Sequence, residues 1–250
     1  MNINPDILQI IDQGHTEDNL YFLPSIQLDR KTYVAVNKVL ENLGGKWSRK
    51  QKAHLFDTNV SDRIDNVLLT GEMVNPKKEW QFFETPHKLA QQLVDMANIQ
   101  PWESVLEPSA GKGAIARIIS EEPPCDCIEM NPENREYLLE NKFSLVGDDF
   151  LQWNKGYDVI VANPPFTKQQ DITHVLHMIK LARRRVVSVM SASVLFRTNK
   201  KTTDFTQLID DLGGTIDPLP DDSFKVSGTR VKTCVLCVDV GYKTGEFASQ

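Results

Sequence analysis

The chain has 250 residues, 40% of them hydrophobic and 25% charged, which is the makeup of an ordinary globular protein with room for one large domain and a small appendage. A net charge of −6 argues against a surface that grips nucleic acid everywhere, yet it leaves room for a local basic face. The opening MNINPDILQIIDQG lacks a basic start and no apolar run reaches membrane length, so neither a signal peptide nor a spanning segment is expected and the expected location is cytoplasmic.

Residues 1–79 read as a small N-terminal α+β unit. A short strand is expected over 25–28, followed by Asp29 as an N-cap and a helix whose Tyr33, Val36, Val39, Leu40 and Leu43 share one face. Gly44-Gly45 stops it. Lys46-Trp47-Ser48-Arg49-Lys50-Gln51-Lys52 then reads as a basic turn leading into a strand, and a second helix is expected over 61–69. Lys46, Arg49, Lys50 and Lys52, interleaved with Trp47, suit contact with nucleic-acid phosphates, for which a few well-placed cations suffice. A solvated hairpin would use the same residues. The stretch 71–78, with Pro76 and Lys77-Lys78, reads as a linker.

Residues 80–250 read as the main domain. Thr85 as N-cap and Pro86 at the first helical position predict a helix to about 98. Strands and helices then alternate: strands over 104–107, 125–129, 143–146, 157–162 and 185–190, helices from 114 and over 132–141, 169–182 and 202–212, and a final strand pair over 215–219 and 231–240. This alternation predicts an α/β fold with a doubly wound, mostly parallel seven-stranded Rossmann-like sheet. Cys234-x-x-Cys237 has the spacing of half a zinc site, but it lies inside an apolar run without turn residues. It reads as buried hydrophobes, as do Cys125 and Cys127, and no metal is expected.

The chemistry concentrates in the loops after the strands. Tyr157-Asp158-Val159-Ile160-Val161-Ala162 is a buried-strand run, and Asn163-Pro164-Pro165-Phe166 follows it directly, where open α/β sheets bind their ligands. Two prolines stiffen this backbone. A stiff turn can aim the Asn163 amide oxygen and the Pro164 carbonyl at one exocyclic amino group, with Phe166 as a flat neighbour for a nucleobase. Earlier, Pro108-Ser109-Ala110-Gly111-Lys112-Gly113 follows the first strand of the series; glycines there let the backbone pass close to a ligand, although the P-loop and G-x-G-x-x-G spacings are both absent. Glu129 stands where such folds place an acid for ribose hydroxyls, and Asp149 with Phe150 supplies an acceptor and a ring for adenine.

In this order, Phe83-Glu84-Thr85-Pro86, Leu106-Glu107-Pro108-Ser109-Ala110-Gly111-Lys112-Gly113, Glu129, Asp149-Phe150-Leu151 and Asn163-Pro164-Pro165-Phe166 resemble the gamma class of DNA adenine-N6 methyltransferases, over about residues 80–240. The resemblance implies the class I methyltransferase fold and S-adenosylmethionine as cofactor. Its methionine part would lie on Thr85, Glu107 and Gly111, lined by Pro108, Ser109, Ala110 and Gly113; Glu129 and Met130 would take the ribose, Asp149 and Phe150 the adenine, and Asn163 would border the reacting centre. Phe224 would face the far side of a flipped base. The implied reaction is N6 methylation of adenine in DNA, with Asn163, Pro164, Pro165 and Phe166 as the catalytic turn. Similar turns occur in enzymes that methylate glutamine amides and ribosomal RNA. A ribosomal RNA methyltransferase acting on guanine N2 or adenine N6 and a non-catalytic cofactor- or nucleic-acid-binding module stay open as alternatives.

Overall fold

The computed structural model describes residues 3–57, 59–71, 84–119, 124–220, 223–224 and 231–241. Most of the 71–78 linker, Phe83 of the Phe-Glu-Thr-Pro motif and the hairpin residues after Phe224 lie outside the described residues. The chain forms two compact units, Met1–Gln81 with Ala192–Asp204, and Phe82–Ser191 with Phe205–Gln250. The segment 192–204, which the sequence alone leaves within the larger domain, thus clusters with the N-terminal unit.

In that first unit, helix α1 (Pro5–Gln13) starts on Asn4, whose side chain accepts the Asp6 N–H, and Pro5 occupies the first turn, where a missing N–H costs nothing. Strands β1 (His15–Glu17) and β2 (Leu20–Phe22) precede helix α2 (Arg30–Asn42), which Asp29 caps by accepting the Lys31 and Thr32 amides. Strands β3 (Lys46–Ser48) and β4 (Ala53–Leu55) form a hairpin, and helix α3 (Ser61–Thr70) ends on left-handed Gly71. The antiparallel sheet runs β1-β2-β4-β3. Ile7, Leu8, Ile11, Tyr21, Val36 and Leu40 build its core. The strand expected over 25–28 does not form: Pro24 cannot donate to a ladder, its carbonyl accepts the Ile26 amide, and the pairing moves upstream to β2. From the 192–204 segment, Arg197, only 4% exposed in its side chain, sits 3.0 Å from Asp12 and 3.5 Å from Asp65, and Phe196 packs on the same core.

The second unit holds α4 (His87–Ala97), β5 (Val105–Glu107), β6 (Cys125–Ile128), α5 (Pro132–Glu140), β7 (Ser144–Gly147), β8 (Tyr157–Ala162), α6 (Gln170–Leu181), β9 (Ala182–Ser191), the second half of α7 (Lys200–Asp211), β10 (Thr215–Pro218) and β11 (Thr233–Asp239). The seven-stranded sheet has the order β10-β11-β9-β8-β5-β6-β7, with β11 as its antiparallel member. The predicted α/β, mostly parallel architecture is therefore the one the chain adopts. Six consecutive residues of β9, from Val186 to Ser191, are buried, and since successive side chains point to opposite faces, both faces of the sheet are covered there. Cys234 and Cys237 are three apart on β11 and so point to opposite faces, which is a strand's reason for not chelating with this spacing.

A half-buried cation pins one end of this unit. Arg184 on β9 makes a two-pronged pair with the 2%-exposed Glu103 and donates to the Ala97 and Asn98 carbonyls, each at 3.1 Å, where α4 ends. Removing it takes the cation from a buried carboxylate, which keeps only the Gln100 amide at 2.9 Å, and the donor from the carbonyl of buried Ala97. Arg184→Ala should therefore cost about 3–5 kcal/mol in urea unfolding; a loss below about 1 kcal/mol would show that Glu103 finds other partners.

Candidate functional site

Four strands, β7, β6, β5 and β8, lie side by side and parallel, so the loops after them line one edge of the sheet. The chain steps outward from β5 to β6 to β7 and then returns to the other side of β5 as β8. That reversal is the topological switch point, the position where doubly wound sheets open a crevice for ligand. Pro108–Gly113 follows β5, Glu129 follows β6, Asp148 and Asp149 follow β7, and Asn163–Phe166 follows β8.

Two carboxylates shape the first of these loops. Glu129 holds the Gly111 amide at 2.6 Å through one oxygen and the Asn131 amide at 2.7 Å through the other. Glu107, 2% exposed, accepts the Ala116 amide at 2.7 Å. Burial pushes the Glu107 carboxyl up to about 8, against the opposing pull of the Ala116 and Ile115 amides, and the nearby Glu129 adds to the rise. The helix expected from Ala114 does not form as a regular one: 111–119 is a run of turns that keeps the Arg117 amide on the Gly113 carbonyl at 2.9 Å, while Glu107 takes the Ala116 amide, which a first helical turn leaves without a backbone partner. Gly111 and Gly113 have φ of 55° and 72°. A Cβ on Gly113 would also come within 2.7 Å of the Phe143 ring, so both the angle and the space call for glycine.

At β8 the Asn163 side chain donates through Nδ2 to the Thr85 hydroxyl at 3.1 Å. Thr85 was expected as the N-cap of α4, but Pro86 takes that position without a side-chain cap, and the threonine hydroxyl is spent on Asn163. An amide held by its nitrogen turns its oxygen to the opposite side. Pro164 is buried and Pro165 exposed. Phe166, 6% exposed, and Phe224, 2% exposed, are packed rather than presented to solvent. Phe150 is likewise buried, edge-on to His174 and His177 of α6 with centroids 5.8 and 4.8 Å away. The reading of the sequence passed over those two histidines; their spacing of three on one helix was the available signal. Asp149 is half-buried, and one of its oxygens accepts the Leu151 amide at 2.9 Å. Asp148 pairs with Arg135 at 3.3 Å. Ser109 is half-buried, Ala110 buried, and Met130 66% exposed. In the first unit, Lys46, Arg49, Lys50 and Lys52 are all exposed on β3 and the turn that follows it. Among the described residues, no group of three or more His, Cys, Asp or Glu is placed to hold a metal.

Comparison by sequence matches no family model and no curated protein. By structure, the chain is similar to the M protein of the type I restriction enzyme EcoKI, with a TM-score of 0.54 at 16% identity over 93% of this chain and 56% of that one; it thus spans little more than half of that protein's length. It is also similar to a putative RNA methyltransferase, PH1948, from Pyrococcus horikoshii (TM-score 0.49, 20% identity, 68% of this chain and 90% of that one). A third similar structure is the magnesium protoporphyrin IX methyltransferase of Synechocystis with bound SAH (TM-score 0.42, 12% identity, 61% and 80%). The fold is that of the class I, Rossmann-like methyltransferases. A fold of this kind hosts many chemistries, so the substrate has to be argued from the site.

Glu107 gives a measurable signature. Its carboxyl titrates near 8 in the fold against 4.5 when free, so the fold favours the neutral form; the stability this lends is whole below about 4.5 and is lost as pH rises through 8. Glu107→Gln, which keeps a neutral group in place, should lose less stability than the unaltered protein between about pH 5 and about pH 9 in urea titrations. Parallel profiles for the two proteins would place the titration elsewhere.

Proposed function

We propose that the chain transfers a methyl group from S-adenosylmethionine to the N6 amino group of adenine in DNA. The observation that carries this is the Asn163 amide, seated just past β8 on a two-proline turn and held by the Thr85 hydroxyl. With its nitrogen engaged, the amide offers its oxygen, beside the Pro164 carbonyl, as one of two acceptors for a single amino group. Adenine's amino lone pair is delocalised into the ring. Hydrogen bonds from both of its N–H groups favour the pyramidal nitrogen, whose lone pair can attack. S-adenosylmethionine would supply the methyl on a sulfonium, an electrophile that needs no further activation. Holding the two partners in line is worth roughly 7–11 kcal/mol of barrier, so no strong base is required and the amino proton can leave to water.

The residues fit that cofactor. Each Glu129 oxygen holds one backbone amide and keeps a lone pair for a ribose hydroxyl. The glycine loop lets backbone approach the methionine part. Glu107, whose charge is disfavoured by burial, becomes a better carboxylate when a cationic ammonium lies close by. Asp149 and Phe150 would border the adenine. In a duplex the base must leave the stack, and Phe166 with Phe224 would hold it. The exposed Lys46, Arg49, Lys50 and Lys52 would take phosphates. The order of the motifs along the chain supports adenine in DNA over the other amino-group acceptors.

Glu129→Ala should weaken S-adenosylmethionine binding at least about tenfold, since a charged hydrogen bond is worth roughly 1.5–3 kcal/mol. Calorimetry that finds unchanged affinity in the folded variant would remove the ribose assignment.

Asn163→Ala should bind both cofactor and DNA, yet form N6-methyladenine about 10²–10³ times more slowly, because the lost bond strengthens as the nitrogen pyramidalises. Thr85→Val should lower turnover less, since it frees the amide to rotate without removing it. Digestion of methylated DNA to nucleosides and mass spectrometry read both base and position. Near-normal methylation by the Asn163→Ala protein would overturn the mechanism.

A further inference from the structure

The four-stranded sheet of the first unit has two unlike faces. Directly paired residues share a face, so Thr16, Tyr21, His54 and Trp47 form one row across all four strands. The middle of that row is covered, while Trp47 at its β3 end is 42% exposed. Tyr21 and His54 are both 0% exposed, the Tyr21 hydroxyl donates to the Ile11 carbonyl of α1 at 2.8 Å, and His54 Nε2 lies 2.8 Å from Asn37 Oδ1 of α2.

The opposite face carries the row Glu17, Leu20, Leu55 and Lys46, flanked by the pairs His15–Phe22 and Ala53–Ser48. Ala53 is buried and Leu20, Phe22 and Ser48 are half-buried, while His15, Glu17, Lys46 and Leu55 are exposed. The His15 ring lies flat on Phe22, centroids 4.7 Å apart and planes 7° from parallel, so its second face points away from the phenyl ring. At the β3–β4 end, Arg49, Lys50 and Lys52 are exposed, and residues 46–52 contain no acid.

We infer that this outer sheet face is a platform for single-stranded nucleic acid, with bases laid on the His15–Phe22 stack and on Leu55 and phosphates along Lys46, Arg49, Lys50 and Lys52. The inference rests on the proposal that the chain acts on nucleic acid and adds to it the surface and the strand state. A duplex hides the faces of its bases, whereas a single strand can splay them onto a flat aromatic and apolar surface. The acid-free rim suits a polyanion. Glu17 on edge strand β1 repels phosphate and so directs the backbone towards the β3 side.

The test uses the whole chain with labelled oligothymidine, which lacks the base proposed for the active site, and with a duplex of equal length, followed by fluorescence anisotropy over a salt series. The strand should bind at least about tenfold tighter than the duplex. His15→Ala and Leu55→Glu alter exposed side chains, so melting and S-adenosylmethionine affinity should be unchanged, while affinity for the strand falls about tenfold and that for the duplex does not. Replacing the four cations by Gln should flatten the salt slope on single strands by up to about 0.7 per lost contact. Unchanged strand affinity in both face variants, or equal losses on strand and duplex, would overturn the platform. Binding of duplex alone by the unaltered protein would overturn it and leave the nucleic-acid proposal standing; binding of neither would overturn both.

Discussion

A carboxyl group at the end of a buried strand has to find hydrogen-bond partners, because a buried polar group left without them is costly. Glu107 and Glu129 find theirs in the backbone. Glu129 draws the Gly111 amide towards the end of β6 and holds the Asn131 amide where α5 begins, while Glu107 takes the Ala116 amide from beneath. The Gly111 and Ala116 amides, one on each acid, fix the path of the chain after β5. The loop is held open at its glycines, at the switch point of the sheet, before any ligand arrives.

The turn Asn163–Phe166 is braced in a similar way, by a partner far away in sequence. Thr85 and Asn163 are 78 residues apart, and their hydrogen bond joins the residue before α4's cap to the residue after β8. It orients the amide, and α4 starts on Pro86 without a side-chain cap for its first-turn amides. Positioning residues of this kind work by removing freedom from a neighbour, and their loss should be felt in turnover rather than in binding.

What the sequence revealed and what it hid follow from the range of the forces involved. The buried strand before Asn163 was legible because five of its six residues are apolar or aromatic and prolines close it. The alternation that makes the sheet mostly parallel was legible for the same reason. Thr85 was misread because capping grammar is local, and a threonine before a proline satisfies it whether or not its hydroxyl points there. Strands β1 and β2 are three residues each, too short for a period to show, so the expected strand fell on 25–28 instead. The docking of 192–204 with the N-terminal unit depends on Arg197 meeting Asp12 and Asp65, pairings of opposite charge that nothing in local sequence announces.

The chemistry proposed for the second unit and the surface inferred on the first meet in one energetic requirement. Methylating an adenine amino group needs a base that is out of its stack, and extracting it from a duplex costs a few kcal/mol before any bond changes. Phe166 and Phe224 are buried, so their rings are not presented to a base at the surface. A strand whose bases already lie unpaired on a sheet face needs no such extraction. On the proposed function, a single-stranded substrate would spare the Asn163–Phe166 turn that extraction, and would leave to Asn163 and the Pro164 carbonyl the task proposed for them, which is to receive an amino group and hold its lone pair towards the methyl.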